Sequence, residues 1–349
     1  MKIPVLASLA AVLAAGLMLS SCTSADEENT AAGSATPPAD AEGNVVVLTT
    51  GGTIASTHDE DGAVVPTVSG DELVDSVRDR IGDKVEVEVR QVAELDSSAM
   101  TLEDTDTVLT AVADALAGES TTGVVVTHGT DSMEESAVAV DAFLADSRPV
   151  VFTGAMRPFD DPDPDGPANL ADAINAAVDP ANRDRGAFIS FGGDLIPARG
   201  AYKHHTEAAD GFASNAPEDA VRPEALELTS LADIDVRTVA AYPGAPRAVI
   251  DAAVVDGARG IVVEGMGAGN VGTDLAAGIM DAVNQGVTVV MTTRVPEGKV
   301  EGVYGGAGGA ATLFDAGVIS SGHFRAAQAR ILLAAALATD TDPATLLEM

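Results

Sequence analysis

Short apolar runs recur along this chain, each separated from the next by an amphipathic or alanine-rich segment, and this alternation constrains the fold most. Residues 45–49, 85–92, 123–127, 149–153 and 187–191 read as strands, and 70–80, 102–117, 132–146 and 167–178 as helices. Such alternation predicts a mostly parallel sheet covered by helices on both faces. A turn-rich region follows from Ala209 to Pro246, with prolines at 217, 223, 243 and 246. The alternation then resumes on a smaller scale. Ala248-Val249-Ile250, 260–264 and 287–292 read as strands, Thr273–Asn284 as a helix, and Phe324–Thr339 as a closing helix with Arg325 and Arg330 on its polar side. The expected fold is α/β: a larger N-terminal domain over 44–230, a linker over 231–247 and a smaller C-terminal α/β domain over 248–349.

The start of the chain reads differently. Lys2, an apolar run from Ile3 to Leu19 and Leu19-Ser20-Ser21-Cys22 predict an export signal over 1–21, too short for an ordinary membrane span. Cys22 is the only cysteine, so it has no disulfide partner within the chain. The stretch is similar to the lipobox of bacterial lipoproteins, which implies lipidation at Cys22 and a membrane-anchored, cell-surface location; a plain signal peptide is the alternative. Residues 22–43, rich in Ala, Ser, Thr, Pro and acids, read as a disordered tether.

Of the 349 residues, 46% are hydrophobic but only 3% aromatic, so the core must rest on Val, Ala, Leu and Ile. The formal charge of −35 should repel nucleic acids and anionic lipid, and it argues against steering of anionic substrates.

Two strands end in a glycine turn followed by a threonine. In the first, Val45-Val46-Val47-Leu48-Thr49-Thr50 runs into Gly51-Gly52-Thr53. In the second, Gly123-Val124-Val125-Val126-Thr127 runs into His128-Gly129-Thr130-Asp131. Glycine lets the backbone turn tightly and approach a ligand, and open α/β sheets bind ligands beyond their carboxyl ends. Thr53 is therefore either a nucleophile or a hydroxyl cap for the turn it opens. Thr130 has the same two roles open to it, and Asp131 beside it is suited to pairing with a substrate ammonium. His128 reads as a packed, hydrogen-bonded neighbour rather than a base. Asp161, Asp163, Asp165 and Asp172 imitate calcium-loop spacing, but Pro162 and Pro164 and the lack of a final Glu favour an acidic loop instead.

Thr50-Gly51-Gly52-Thr53-Ile54-Ala55 and His128-Gly129-Thr130-Asp131-Ser132-Met133 together resemble the two signature motifs of the bacterial L-asparaginase family, the second with Ser132 in place of the usual Thr. The resemblance continues through Gly154-Ala155-Met156-Arg157-Pro158, Asp165-Gly166-Pro167-Ala168-Asn169-Leu170, Arg199, Lys203 and Arg294-Val295-Pro296, covering the chain from Val45 onward. It implies hydrolysis of L-asparagine to L-aspartate and ammonia through an acyl-threonine intermediate, with no cofactor and no metal. Thr53 is then the nucleophile, and Thr130, Asp131 and Lys203 a second catalytic group. In Asp96-Ser97-Ser98-Ala99-Met100, Ser97 binds the substrate carboxylate with Ser98 close by, and the Ala155 backbone helps hold the oxyanion. The family is usually tetrameric, so Asn270, and less directly Glu301, is expected to reach a neighbouring subunit's site. One departure stands out: the family's loop tyrosine after the first motif has no counterpart between Thr57 and Gly70, the only tyrosines being Tyr202, Tyr242 and Tyr304. Dual activity on glutamine, and an amino-acid-binding protein that has lost turnover, are the alternatives.

Overall fold

The computed structural model describes residues 42–349. β1 (Glu42–Gly51) leads into a hairpin of β2 (Ser56–His58) and β3 (Val64–Pro66), then α1 (Gly70–Asp75), β4 (Lys84–Leu95), α2 (Leu102–Leu116) and β5 (Thr121–Thr127). α3 (Met133–Phe143), β6 (Val150–Thr153), α4 (Gly166–Val178) and β7 (Ala187–Phe191) follow, and β8 (Asp194–Pro197) returns antiparallel to β7. β9 (Ala201–Lys203) and β10 (Phe212–Ser214) form a small antiparallel ribbon.

The strands of the large sheet lie in the order β4-β1-β5-β6-β7-β8, parallel as far as β7. Counted along the chain, the parallel strands run 2-1-3-4-5, so the winding reverses between β1 and β5, and such a switch point opens a crevice at the carboxyl ends. Because side chains alternate along a strand, β1 feeds two cores. Val45 and Val47 pack with Leu73 of α1 and Ile174 of α4 on one face. Val46 and Leu48 pack with Val108 of α2 and Ala137 of α3 on the other.

The second sheet is parallel in the order β11 (Val236–Ala240), β12 (Gly260–Gly265), β13 (Thr288–Thr293), β14 (Ile319–Ser320). α5 (Ala248–Val255), α6 (Thr273–Asn284) and α7 (Ala310–Asp315) connect these strands, and α8 (Ala326–Thr339) and α9 (Pro343–Leu346) close the chain.

Several expectations need correcting. Residues 231–247, expected as a linker, contain β11, whose Val236-Arg237-Thr238-Val239 mixes apolar with polar side chains and so lacks the signature of a buried run. Ala248-Val249-Ile250 is not a strand but the start of α5, in which Ile250 and Ala253 are buried at helical spacing. α1 stops at Asp75 rather than continuing to residue 80. α8 has no solvated polar side: Ile331, Leu332, Leu333 and Ala334 are all fully buried, and Arg330 meets Glu135 of α3 at 2.6 Å. β1 begins at Glu42, two residues inside the expected tether; the rest of the tether, the signal segment and Cys22 lie outside the described residues.

Candidate active site

The crevice at the switch point is a cavity of about 570 Å³. β1 supplies Gly51, and Gly52 and Thr53 follow it; Gly129, Thr130 and Asp131 follow β5; Glu94, Leu95, Asp96 and Ser97 come from the end of β4 and just beyond. Ala155 and Met156 follow β6, Lys203 ends β9, and Val64 and Pro66 of the hairpin form part of the wall. Six of the residues singled out from the sequence, Thr53, Ser97, Thr130, Asp131, Ala155 and Lys203, thus line one pocket.

The two glycine turns touch. A Cβ on Gly52 would sit 2.6 Å from the Gly129 backbone nitrogen, and Gly52 has φ +90, a backbone region that side chains disfavour. A Cβ on Gly129 would meet the Ser97 Oγ at 2.3 Å. Glycine at both places is what allows the three strand ends to close on one another.

Neither threonine spends its hydroxyl on a cap. Thr53 opens a short 3-10 turn, Thr53–Ala55, whose cap is Gly52 with no side-chain bond. Among the described residues no side chain hydrogen-bonds the Thr53 hydroxyl, and none of the three tyrosines lines the cavity; Tyr304 is exposed. The N-cap of α3 is Ser132, and its Oγ donates to the Ser97 carbonyl at 2.7 Å instead of capping the helix. That bond fastens the end of β4 to the start of α3, and the Asp131 N–H reaches the Ser97 Oγ at 3.4 Å.

Lys203 organises the polar wall. Its Nζ donates to Thr130 Oγ1 at 2.8 Å and to Asp131 Oδ1 at 2.8 Å. An ammonium on a hydroxyl oxygen favours negative charge there, and the carboxylate fixes where the ammonium stands. The Lys203 side chain is 21% exposed and Asp131 59%, so Asp131 keeps a face open to the cavity while Lys203 is largely enclosed.

His128 lies beneath, buried, with Nδ1 2.8 Å from the Gly129 carbonyl and Nε2 2.9 Å from the Ser136 Oγ. A carbonyl only accepts, so Nδ1 carries the proton and Nε2 accepts from the serine. Burial holds its pKa below the usual histidine value, and the imidazole is a neutral brace.

Other residues fall elsewhere. Ser98 is exposed and turned to Asp96: its N–H at 2.9 Å and its Oγ at 2.8 Å both donate to Asp96 Oδ1, holding that carboxyl below its usual range. Asn270 lies in the loop after β12, its Oδ1 accepting from the Ala310 N–H at 3.2 Å, and does not line this cavity. The acidic loop serves the backbone: Asp165 accepts from the N–H groups of Met156 and Arg157, each at 2.9 Å, and so sets the turn carrying Ala155. Among the described residues no group of three or more His, Cys, Asp or Glu side chains is arranged to hold a metal. Sequence reasoning missed Glu94, Met156, Thr206 and the hairpin residues Val64 and Pro66 as lining residues. A hairpin following the first turn was the one available signal, since it must fold back over the strand ends.

Fold and pocket together define the class: a doubly wound α/β enzyme whose switch-point crevice presents hydroxyls, an ammonium and carboxylates. Residues 44–229 match the family model described as asparaginase, N-terminal, and residues 235–349 the glutaminase/asparaginase C-terminal domain. The chain belongs to the asparaginase family. It is 31% identical over 311 residues to an L-asparaginase of Bacillus licheniformis, covering 84% of this chain and 95% of that one. It is 30% identical over 351 residues to a glutamyl-tRNA(Gln) amidotransferase component of Halobacterium salinarum, with coverage of 91% and 81%. The crystal structure of a probable cytoplasmic L-asparaginase from Campylobacter jejuni superposes with a TM-score of 0.79 at 28% identity, covering 88% of this chain and all of that one.

These similarities contradict the expected exported, cell-surface location, because the solved neighbour is a probable cytoplasmic enzyme and the Halobacterium relative part of an amidotransferase. A short apolar run preceded by one lysine carries little positional information by itself, and the cell-surface reading is withdrawn.

Proposed function

We propose that this protein hydrolyses the side-chain amide of L-asparagine to give L-aspartate and ammonia, with Thr53 as nucleophile. The observation that carries the reading is Lys203 Nζ standing 2.8 Å from both Thr130 Oγ1 and Asp131 Oδ1 in the cavity that also holds Thr53. The Thr53 oxygen attacks the amide carbon and its proton passes to the pocket. The amide nitrogen takes a proton and leaves as ammonia, and water then cleaves the acyl-threonine ester to regenerate the hydroxyl. Thr130, polarised by Lys203, handles the proton. Asp131 takes the α-ammonium, Ser97 the α-carboxylate, and the Ala155 backbone the oxyanion, which fixes the amide against Thr53. Asn270 acts from a neighbouring subunit in a homotetramer.

Among the described residues lining it, the cavity carries the carboxylates Glu94, Asp96 and Asp131 against the single cation Lys203, a balance that suits a substrate ammonium. A second reading, comparable activity on L-glutamine, is favoured by the glutaminase/asparaginase description of the C-terminal match. One methylene is worth only about 1–3 kcal/mol of discrimination in such a site. The test is ammonia release from each amino acid by the parent and by Thr53→Ala. The expected result is release from asparagine that falls by roughly 10³-fold or more in the variant. Tight asparagine binding by the parent without ammonia release would refute the enzyme and favour a binding protein.

A further inference from the structure

Glu134, in the first turn of α3, is nine-tenths buried, yet its carboxylate does not pair with the Lys203 ammonium. Its Oε2 accepts the backbone N–H of Lys203 at 2.5 Å instead. The residue that follows Thr130-Asp131 by one turn of chain therefore grips the strand that delivers Lys203 to those same two side chains. A second buried side chain completes the clamp. Gln328 of α8 donates through Nε2 to the carbonyls of Glu134 at 3.2 Å and Ala198 at 2.6 Å, and its Oε1 accepts from the Gly200 N–H at 2.8 Å. The stretch Ala198–Lys203 is thus tied to the start of α3 at both ends.

We propose that Glu134 is a positioning residue for the reaction, holding the Lys203 backbone so that its ammonium stands between Thr130 and Asp131. The inference rests on the proposed hydrolytic reading of this pocket. A short ribbon strand such as β9 has few bonds of its own to define its place, and a displacement of about 1 Å in such a group lowers turnover by up to about 10²-fold. The carboxylate form grips the N–H more strongly than the neutral acid does, since hydrogen bonds to charged acceptors are about twice as strong. Burial pushes the Glu134 carboxyl up to about 7, against the Lys203 N–H, which pulls it down. The charges acting on it are Lys203 from β9 and Glu135 on its own helix, the latter paired with Arg330 from α8. β6 and β7 bring no ionisable side chain, and α2 shares an apolar core with α3 through Leu109 and Val112.

The test measures kcat and KM for asparagine between pH 6 and pH 8.5 in the parent, Glu134→Gln and Glu134→Ala. The parent kcat is expected to rise as pH passes about 7. Glu134→Gln, a permanently neutral acceptor, should match the parent at pH 6, lack that rise, and so fall several-fold behind at pH 8. Glu134→Ala should lose about 10–100-fold in kcat with KM changed by less than about three-fold. A Glu134→Gln profile that keeps the parent's rise overturns the proposal even if Glu134→Ala does not fold, as does a Glu134→Ala kcat equal to the parent's. A parent that releases no ammonia at any pH overturns the hydrolytic reading itself, and the positioning role with it.

Discussion

Glu134 is a carboxylate whose burial raises its pKa to about 7 while the Lys203 N–H opposes the rise. Its folded pKa lies above the unfolded value of 4.5, so between the two the native state binds the proton more firmly. The stability this confers is complete below about 4.5 and is lost as pH rises through about 7, amounting to at most about 3 kcal/mol. Denaturant unfolding of the parent between pH 5 and pH 8 should therefore lose more stability than Glu134→Gln loses over the same range. Equal pH slopes would contradict the assignment. At this scale part of the site was legible: Thr53, Thr130 and Asp131 stand in strand-end turns marked by glycines and hydroxyls, whereas Ser97, Ala155 and Lys203 could be named only through the family resemblance, and all six line the cavity. Glu134 was not legible in this way, because an acid near a helix start reads as a dipole partner, and only the returning β9 reveals what it holds.

At the scale of elements, the contact between the turns after β1 and β5 decides whether a pocket exists. Gly52 combines φ +90 with a Cβ position 2.6 Å from the Gly129 nitrogen, so Gly52→Ala meets both strain and a backbone clash. The expected loss is about 1–3 kcal/mol of stability together with most of the turnover, measured by denaturation and by ammonia release. A variant with parental stability and turnover would show that the two turns need not touch. Strands β1, β5, β6 and β7 could be read from their apolar runs, and α2, α4 and α6 from their amphipathic pattern. β11 could not, because Arg237 and Thr238 break the run, and the ribbon of β9 and β10 is too short to carry a period. The hairpin of β2 and β3 is held partly by contacts distant in sequence, His58 Nδ1 to Asp160 Oδ1 at 3.0 Å among them.

For the whole molecule, α8 is the element that matters most. Its residues share one apolar core with Val124 and Val126 of the large sheet and with Val262 and Val290 of the second. Arg330 reaches Glu135, and Gln328 reaches the Glu134 carbonyl. A core common to both sheets predicts one cooperative unfolding transition in which circular dichroism and a site-directed probe on β13 coincide. Two separated transitions would mean that the sheets are independent. Two α/β regions could be placed from the alternation of runs, but the closing helix was assigned a polar side, because Arg330 looks solvated until its partner on α3 is known. The net charge of −35 adds self-repulsion, so that single midpoint should rise with added salt.

If Thr53 is the nucleophile, it carries the acyl group during turnover, and that group can be trapped. The protein is mixed with L-asparagine, quenched in acid within the first turnovers, digested and mapped by mass spectrometry. The expected result is one aspartyl group on the peptide containing Thr53, absent in Thr53→Ala. An aspartyl group on the peptide containing Thr130, with Thr53 unmodified, would make Thr130 the nucleophile and rule out that role for Thr53.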